Sequence, residues 1–216
     1  MEVDCLKAII FDMDGVIINS EPLHVKLERE LLEELGGTIT DKEHSNFIGT
    51  TDYHMWNTLK KQFHIELSVD EIMKIKSERF SENIHRVELV PGFWDFFIKV
   101  YNAGYPIALA SSNNRTTVNL IVEKFNLDKY LRVIMTGEDV SEGKPNPEIF
   151  LKTAEKLGVS PSDCIVIEDA KNGVLAAKAA GMRCIGFNNP VFGKQDLSDA
   201  DMVISSFSEL DLGKLL

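Results

Sequence analysis

Short apolar runs and amphipathic stretches alternate along most of this chain. Ala8-Ile9-Ile10-Phe11, Ile107-Ala108-Leu109-Ala110, Val133-Ile134-Met135-Thr136 and Cys164-Ile165-Val166-Ile167 read as buried strands. So do Cys184-Ile185-Gly186-Phe187 and Met202-Val203-Ile204. Between them, apolar positions three and four residues apart predict helices with one apolar face. Pro91-Gly92 opens one whose stripe is Phe93, Phe97, Val100 and Tyr101, closed by Gly104. Others run from about Thr116 to Phe125, from Pro147 to Leu157 with Gly158 as the stop, and from Gly173 to Ala180 before Gly181. Strands alternating with helices imply an α/β fold built on a doubly wound parallel sheet.

The stretch from 20 to 87 breaks that alternation. Leu27, Leu31, Leu32 and Leu35 mark a helix from Leu23 to Leu35, ended by Gly36-Gly37. Thr40 with Glu43, and Ser68 with Glu71, have capping-box spacing and start two more. Asp52 to Phe63 carries Met55, Leu59 and Phe63 on one stripe. No strand is predicted there. The expected organisation is therefore a core of residues 1–18 and 88–216, with an all-helical insert over 19–87 after the first strand.

Composition narrows the partners. The 216 residues are 44% hydrophobic and 26% charged, ordinary for a globular chain, and their net charge is −11. With no basic block, neither nucleic acid nor an anionic membrane is an expected partner. Any anion site must be built locally. No apolar run would span a bilayer, and Met1-Glu2-Val3-Asp4 lacks a basic signal-peptide start. Cys5, Cys164 and Cys184 lie in or near apolar runs without zinc spacing, and none has an arginine six positions later. Buried thiols and a cytoplasmic monomer are the expectation.

The chemistry lies where strands end. The first apolar run stops at Asp12-Met13-Asp14-Gly15, two carboxylates at i and i+2 before a turn glycine. Ionised groups are costly to bury unpaired, and the carboxyl rim of an open α/β sheet is where ligands bind. The second ends at Ser111-Ser112-Asn113-Asn114, Lys144 stands in Glu142-Gly143-Lys144-Pro145-Asn146-Pro147, and the Cys164 run ends at Glu168-Asp169. Taken singly these are a turn, a helix cap, a solvated lysine and acids at a helix dipole. Taken together, an acid pair, a hydroxyl, a lysine and a second acid pair, each beside its own βα unit, form one set.

In this order the set resembles the haloacid dehalogenase superfamily of aspartate-nucleophile phosphotransferases, whose core is a Rossmann-like sheet. The resemblance spans the core from Asp12 to about Gly181. It implies Asp12 as nucleophile and Asp14 as general acid/base, both also on the metal, Asp14 through its backbone carbonyl. It further implies Ser111 as the hydroxyl that bonds the transferring phosphoryl, with Ser112 and Asn113 alongside to bind substrate. Lys144 would neutralise phosphoryl charge and link to Asp12. Asp169 would be the second metal carboxylate, and Glu168 an additional or outer ligand. Oxygen-only ligands suit Mg²⁺, with Mn²⁺ or Co²⁺ as substitutes.

The helical insert resembles the small cap of the β-phosphoglucomutase and sugar-phosphate phosphatase branch. Asn19-Ser20-Glu21-Pro22-Leu23-His24 is similar to its hinge and first cap helix, which turns His24 toward the active site. Two departures favour hydrolysis over mutation. Ile48-Gly49-Thr50-Thr51-Asp52-Tyr53 lacks the arginine that would hold a non-reacting phosphate, and Asn113-Asn114 stands where the mutase has a lysine. Lys76 remains as one cation in the cap. The expected activity is Mg²⁺-dependent hydrolysis of small phosphorylated sugars through an aspartyl-phosphate, with broad specificity, and a β-phosphoglucomutase-like mutase is the alternative.

Overall fold

Ala8–Phe11 (β1) lies at the centre of a six-stranded sheet and is inaccessible to solvent along its length. Its neighbours are Ile107–Ala110 (β4) on one side and Cys164–Glu168 (β6) on the other, both parallel. Val133–Met135 (β5), Arg183–Phe187 (β7) and Met202–Ile204 (β8) extend it to the order β5-β4-β1-β6-β7-β8. All five pairings are parallel, as the alternation of runs and stripes predicts. The computed structural model describes residues 7–45, 47, 52–191 and 195–215. Cys5 and the stretch 48–51, where an arginine is missing from the sequence, fall outside them.

Side chains alternate across a strand with period two, and here the two faces differ in kind. One face carries Ile9, Phe11, Ile107, Leu109, Ile165, Ile167 and Ile185. Phe93–Asn102 (α5) and Arg115–Lys124 (α6) cover it with Phe93, Phe96, Phe97, Val100, Val118 and Ile121. The other face carries Ala8, Ile10, Ala108, Ala110, Cys164, Val166 and Cys184. Glu148–Leu157 (α7) and Lys171–Ala179 (α8) pack there through Ile149, Phe150, Ala154, Val174, Ala176 and Ala177. Cys164 and Cys184 are buried free thiols whose ionisation burial pushes up to about 11 and about 12.

Two details of the predicted helices differ. Tyr101 was expected on the apolar stripe of α5 but is 45% exposed, and Phe96 is buried instead. Phe93, Phe96, Phe97 and Val100 follow the i, i+3, i+4, i+7 rule, and Tyr101 at i+8, the edge of that stripe, lies at the surface edge-on to Tyr130. Helix α8 starts at Lys171, ahead of Gly173.

Among the described residues between β1 and α5, the elements are helices apart from two short strands. Ile18–Asn19 (β2) pairs antiparallel with Glu88–Leu89 (β3). Between them lie Glu21–Glu34 (α1), Asp41–Ser45 (α2), Asp52–Phe63 (α3) and Val69–Glu82 (α4). Helices α1, α3 and α4 share their own apolar cluster around the fully buried Trp56, with Leu31, Leu32, Met55, Leu59 and Ile72. Both capping boxes form: Thr40 and Glu43 exchange hydrogen bonds, and so do Ser68 and Glu71. Leu23, Leu27 and Phe80 join this unit to the Phe11 face of the sheet core.

Phe97 is fully buried and its ring centroid lies 5.7 Å from that of Phe11. Phe97→Ala should lower unfolding free energy by about 3–5 kcal/mol, as expected for an emptied aromatic site. Urea unfolding of the variant beside the parent protein checks this.

Candidate active site

The parallel register brings three strand ends to one point. The backbone N–H of Asp12 donates to the Ile167 carbonyl at 3.0 Å, and that of Ser111 to Met135 at 3.0 Å. Asp12, Ser111 and Glu168-Asp169 therefore stand side by side at the carboxyl edges of β1, β4 and β6. The sheet order reverses direction between β1 and β6, the crevice where open α/β sheets bind ligands.

Lys144 enters from the loop before α7. Its Nζ donates to Asp12 Oδ1 at 2.5 Å, Glu168 Oε1 at 2.8 Å and the Ala110 carbonyl at 3.1 Å. The lysine side chain is 7% exposed and sits 5.0 Å from the centre of the Phe150 ring. Burial would lower its pKa, but the charges of Asp12 and Glu168 outweigh burial and raise it, so it stays protonated.

The acids outnumber this cation. Oxygens of Asp12, Glu168 and Asp169 lie within 4.8 Å of one another, and all three residues are buried. Burial pushes the Asp12 carboxyl up to about 8 against the pull of Lys144, with Glu168 and Asp14 adding to the rise. Asp169 is likewise raised well above the usual carboxylate range, first by burial and then by Glu168 and Asp12. A buried oxygen-only cluster with surplus negative charge fits a hard divalent cation. Asp12 and Asp169 have the carboxylates to hold one.

Glu168 is placed differently from a simple ligand. Its Oε1 accepts from Lys144, and its Oε2 accepts from the Ala170 backbone N–H at 2.9 Å. Both oxygens are engaged, so Glu168 fixes the lysine and the start of α8. Gly173 makes room for it: a Cβ there would fall 1.7 Å from Glu168 Oε1. Gly15, at φ +73°, makes the same kind of room for Asp169, whose Oδ2 would lie 2.0 Å from a Cβ.

Asp14 stands apart from the acidic cluster. One carboxylate oxygen accepts from the Ser20 hydroxyl and the other from Asn113 Nδ2 at 2.5 Å. Ser111 is buried, and its Oγ accepts from the Asn113 backbone N–H at 3.1 Å. Ser112 is exposed on the same loop, while Asn114 caps α6 by accepting from the Thr117 N–H at 2.9 Å. His24 stacks on Phe80 with centroids 4.3 Å apart, and its Nδ1 is buried without a partner. Burial, then the charge of Lys76, lowers its pKa, while Asp14 acts in the opposite sense.

Three sets of contacts in this region carried no sequence signal. Asn189 is buried and its Nδ2 donates to the Gly15 carbonyl at 2.9 Å and Asn19 Oδ1 at 2.8 Å, tying the Asp14 loop to the start of the helical unit. Ser20 holds Asp14 across six residues. In the helical unit Lys76 pairs with Glu28 and Asp52, and His44 with Glu28.

The haloacid dehalogenase-like hydrolase family model matches residues 9–187. YhcW of Bacillus subtilis (strain 168) is 34% identical over 212 residues, covering 98% of this chain and 96% of the relative. The phosphorylated carbohydrates phosphatase of Thermotoga maritima is 32% identical over 188 residues, 83% of this chain and 84% of its own. The crystal structure of CbbY from Rhodobacter sphaeroides in complex with phosphate superposes with a TM-score of 0.82 at 28% identity, over 97% of this chain and 99% of that one. A mutant of the same CbbY has been solved with xylulose-(1,5)bisphosphate.

Gly173→Ala should push Glu168 off Lys144 and lower kcat/KM by about 10–100-fold, as when a ligand-supporting residue is lost. Steady-state kinetics, with far-ultraviolet circular dichroism to confirm the fold, measure it.

Proposed function

The chain belongs to the haloacid dehalogenase-like hydrolases, and from that premise we propose that it is a Mg²⁺-dependent phosphoric monoester hydrolase acting on small phosphorylated sugars. The observation that carries this reading is the buried Lys144 ammonium between Asp12 and Glu168, beside Asp169. A phosphoryl group has charge on several oxygens, and its transfer is largely a matter of position and charge neutralisation.

Asp12 is the nucleophile. Its carboxylate attacks phosphorus, the bond to the sugar oxygen breaks, and an aspartyl-phosphate results. Lys144 orients Asp12 and offsets phosphoryl charge. Ser111 has a hydroxyl hydrogen left to donate, because its oxygen accepts from Asn113. Asp14, braced by Ser20 and Asn113, gives a proton to the leaving sugar oxygen and then takes one from the water that hydrolyses the aspartyl-phosphate. Asp12 and Asp169, with the Asp14 carbonyl, would hold the Mg²⁺. When bound, that ion supplies charge neutralisation between nucleophile and phosphoryl dianion. Residues 19–87 form the cap that closes over a core of residues 1–18 and 88–216, bringing His24 to the substrate and excluding water.

Incubated with hexose, pentose and tetrose phosphates, the protein should release inorganic phosphate with Mg²⁺ and none after EDTA. No Mg²⁺-dependent release from any of them would overturn the reading. Glucose 6-phosphate formed from β-glucose 1-phosphate without free phosphate would identify a mutase instead.

Asp12→Asn should abolish turnover in a folded protein. Asp14→Asn should slow sugar phosphates by about 10²–10⁴-fold, the range for a lost acid/base group. Activated aryl phosphates, whose leaving oxygen needs no proton, should suffer less. Parallel kinetics on both substrate types decide this.

A further inference from the structure

A substrate bound through its phosphoryl group at Lys144 must lay its remaining atoms toward the helical unit, if residues 19–87 close over the core. What that unit offers depends on its charges. His24 on α1 stacks on Phe80 of α4, Glu28 and Lys76 lie one turn along the same two helices, and Ser20 at the start of α1 holds Asp14 of the core, so this buried group borders the reaction centre. Resting on the phosphatase reading above, we propose that Lys76 is neutralised in place by Glu28 and Asp52, so that the protein selects phosphomonoesters whose other groups are uncharged hydroxyls and rejects those with a second phosphate.

The geometry is specific. Lys76 Nζ lies 2.5 Å from Glu28 Oε1 and 2.6 Å from Asp52 Oδ2. The Lys76 and Glu28 side chains are 6% and 9% exposed. The other Glu28 oxygen is 2.8 Å from His44 Nε2. One buried lysine thus answers two acids on α1 and α3. Burial would raise the Glu28 carboxyl, but the His44 hydrogen bond and Lys76 charge outweigh it and hold it below its usual range. Lys76 is held above its own usual range by the same two acids. Both partners therefore stay ionised.

A second phosphate could reach this lysine only by displacing Asp52 and drawing the ammonium away from Glu28, leaving a buried carboxylate without its cation. That exchange is strongly unfavourable. Three other cations on these elements are matched: Arg115 by Asp139, Arg29 by Asp41 and Lys171 by Asp196. His24 is held neutral by burial and by Lys76, and a neutral imidazole bonds a hydroxyl better than it offsets a dianion. A phosphorylated sugar with free hydroxyls suits these surroundings. A bisphosphate brings two further negative charges to a place where the buried lysine of the helical unit is already held by two acids.

Affinity tests this apart from turnover. In an Asp12→Asn background with Mg²⁺, a hexose 6-phosphate and a hexose 1,6-bisphosphate are titrated by calorimetry, with and without Asp52→Asn. Asp52 is 44% exposed, so the amide should leave the helix intact. The monophosphate should bind at least about tenfold tighter, equivalent to about 1.4 kcal/mol. Asp52→Asn should strengthen bisphosphate binding about fivefold or more, within the range of one charge pair in such a setting, and leave the monophosphate nearly unchanged. Bisphosphate binding as tight as monophosphate before that change, equal shifts for both ligands, or no binding of either would overturn the proposal. Binding that behaves as expected in a protein that releases no phosphate would overturn the phosphatase reading alone.

Discussion

One ammonium group holds the reaction centre together. Lys144 Nζ touches Asp12 after β1, the last carbonyl of β4 and Glu168 at the end of β6. Without it two carboxylates would be buried side by side with no counter-charge, a severe penalty. The sheet must therefore keep its register at all three edges, because a slip of one residue would turn Asp12 or Glu168 to the opposite face. The lysine satisfies a structural need and a chemical one with the same contacts.

The two faces of the sheet explain how the lysine is carried there. On one side bulky Ile, Leu and Phe residues interlock with the aromatic face of α5. On the other, Ala8, Ala108, Ala110, Cys164 and Cys184 allow α7 and α8 to lie close. Phe150 of α7 lies under the ammonium, and Gly173 of α8 leaves space for Glu168. The small-residue face is the one that bears the machinery, and small side chains let helices deliver groups to the strand ends.

Strands and helices were legible because both report burial through simple periods, and burial decides them here. Asp12, Ser111 and Asp169 were legible because charged or hydroxyl groups directly following apolar runs need partners, and Lys144 only as a member of the set they form with it. Asn189 was not, since its part consists of two hydrogen bonds to residues some 170 positions earlier in the chain. Nor was the double engagement of Glu168, which depends on where the Ala170 N–H points. Lys76 looked like a lone cation available to a ligand. Only the folded chain reveals the two acids around it, one of them from a helix 48 residues away.

The strand order also sets a sequence of assembly. Ile9 of β1 pairs with Ile107 and with Ile165, partners far along the chain on either side. Contacts so distant are slow to form, because a long loop must close before they reward the chain. As the chain is made from its amino end, β1 can meet β4 and β5 before β6 exists. Asp12 is then already in place, while Lys144 and Glu168 are still to come. Asp12 waits beside an open sheet edge, and the strands that arrive last both seal that edge and complete the cluster of charges around it.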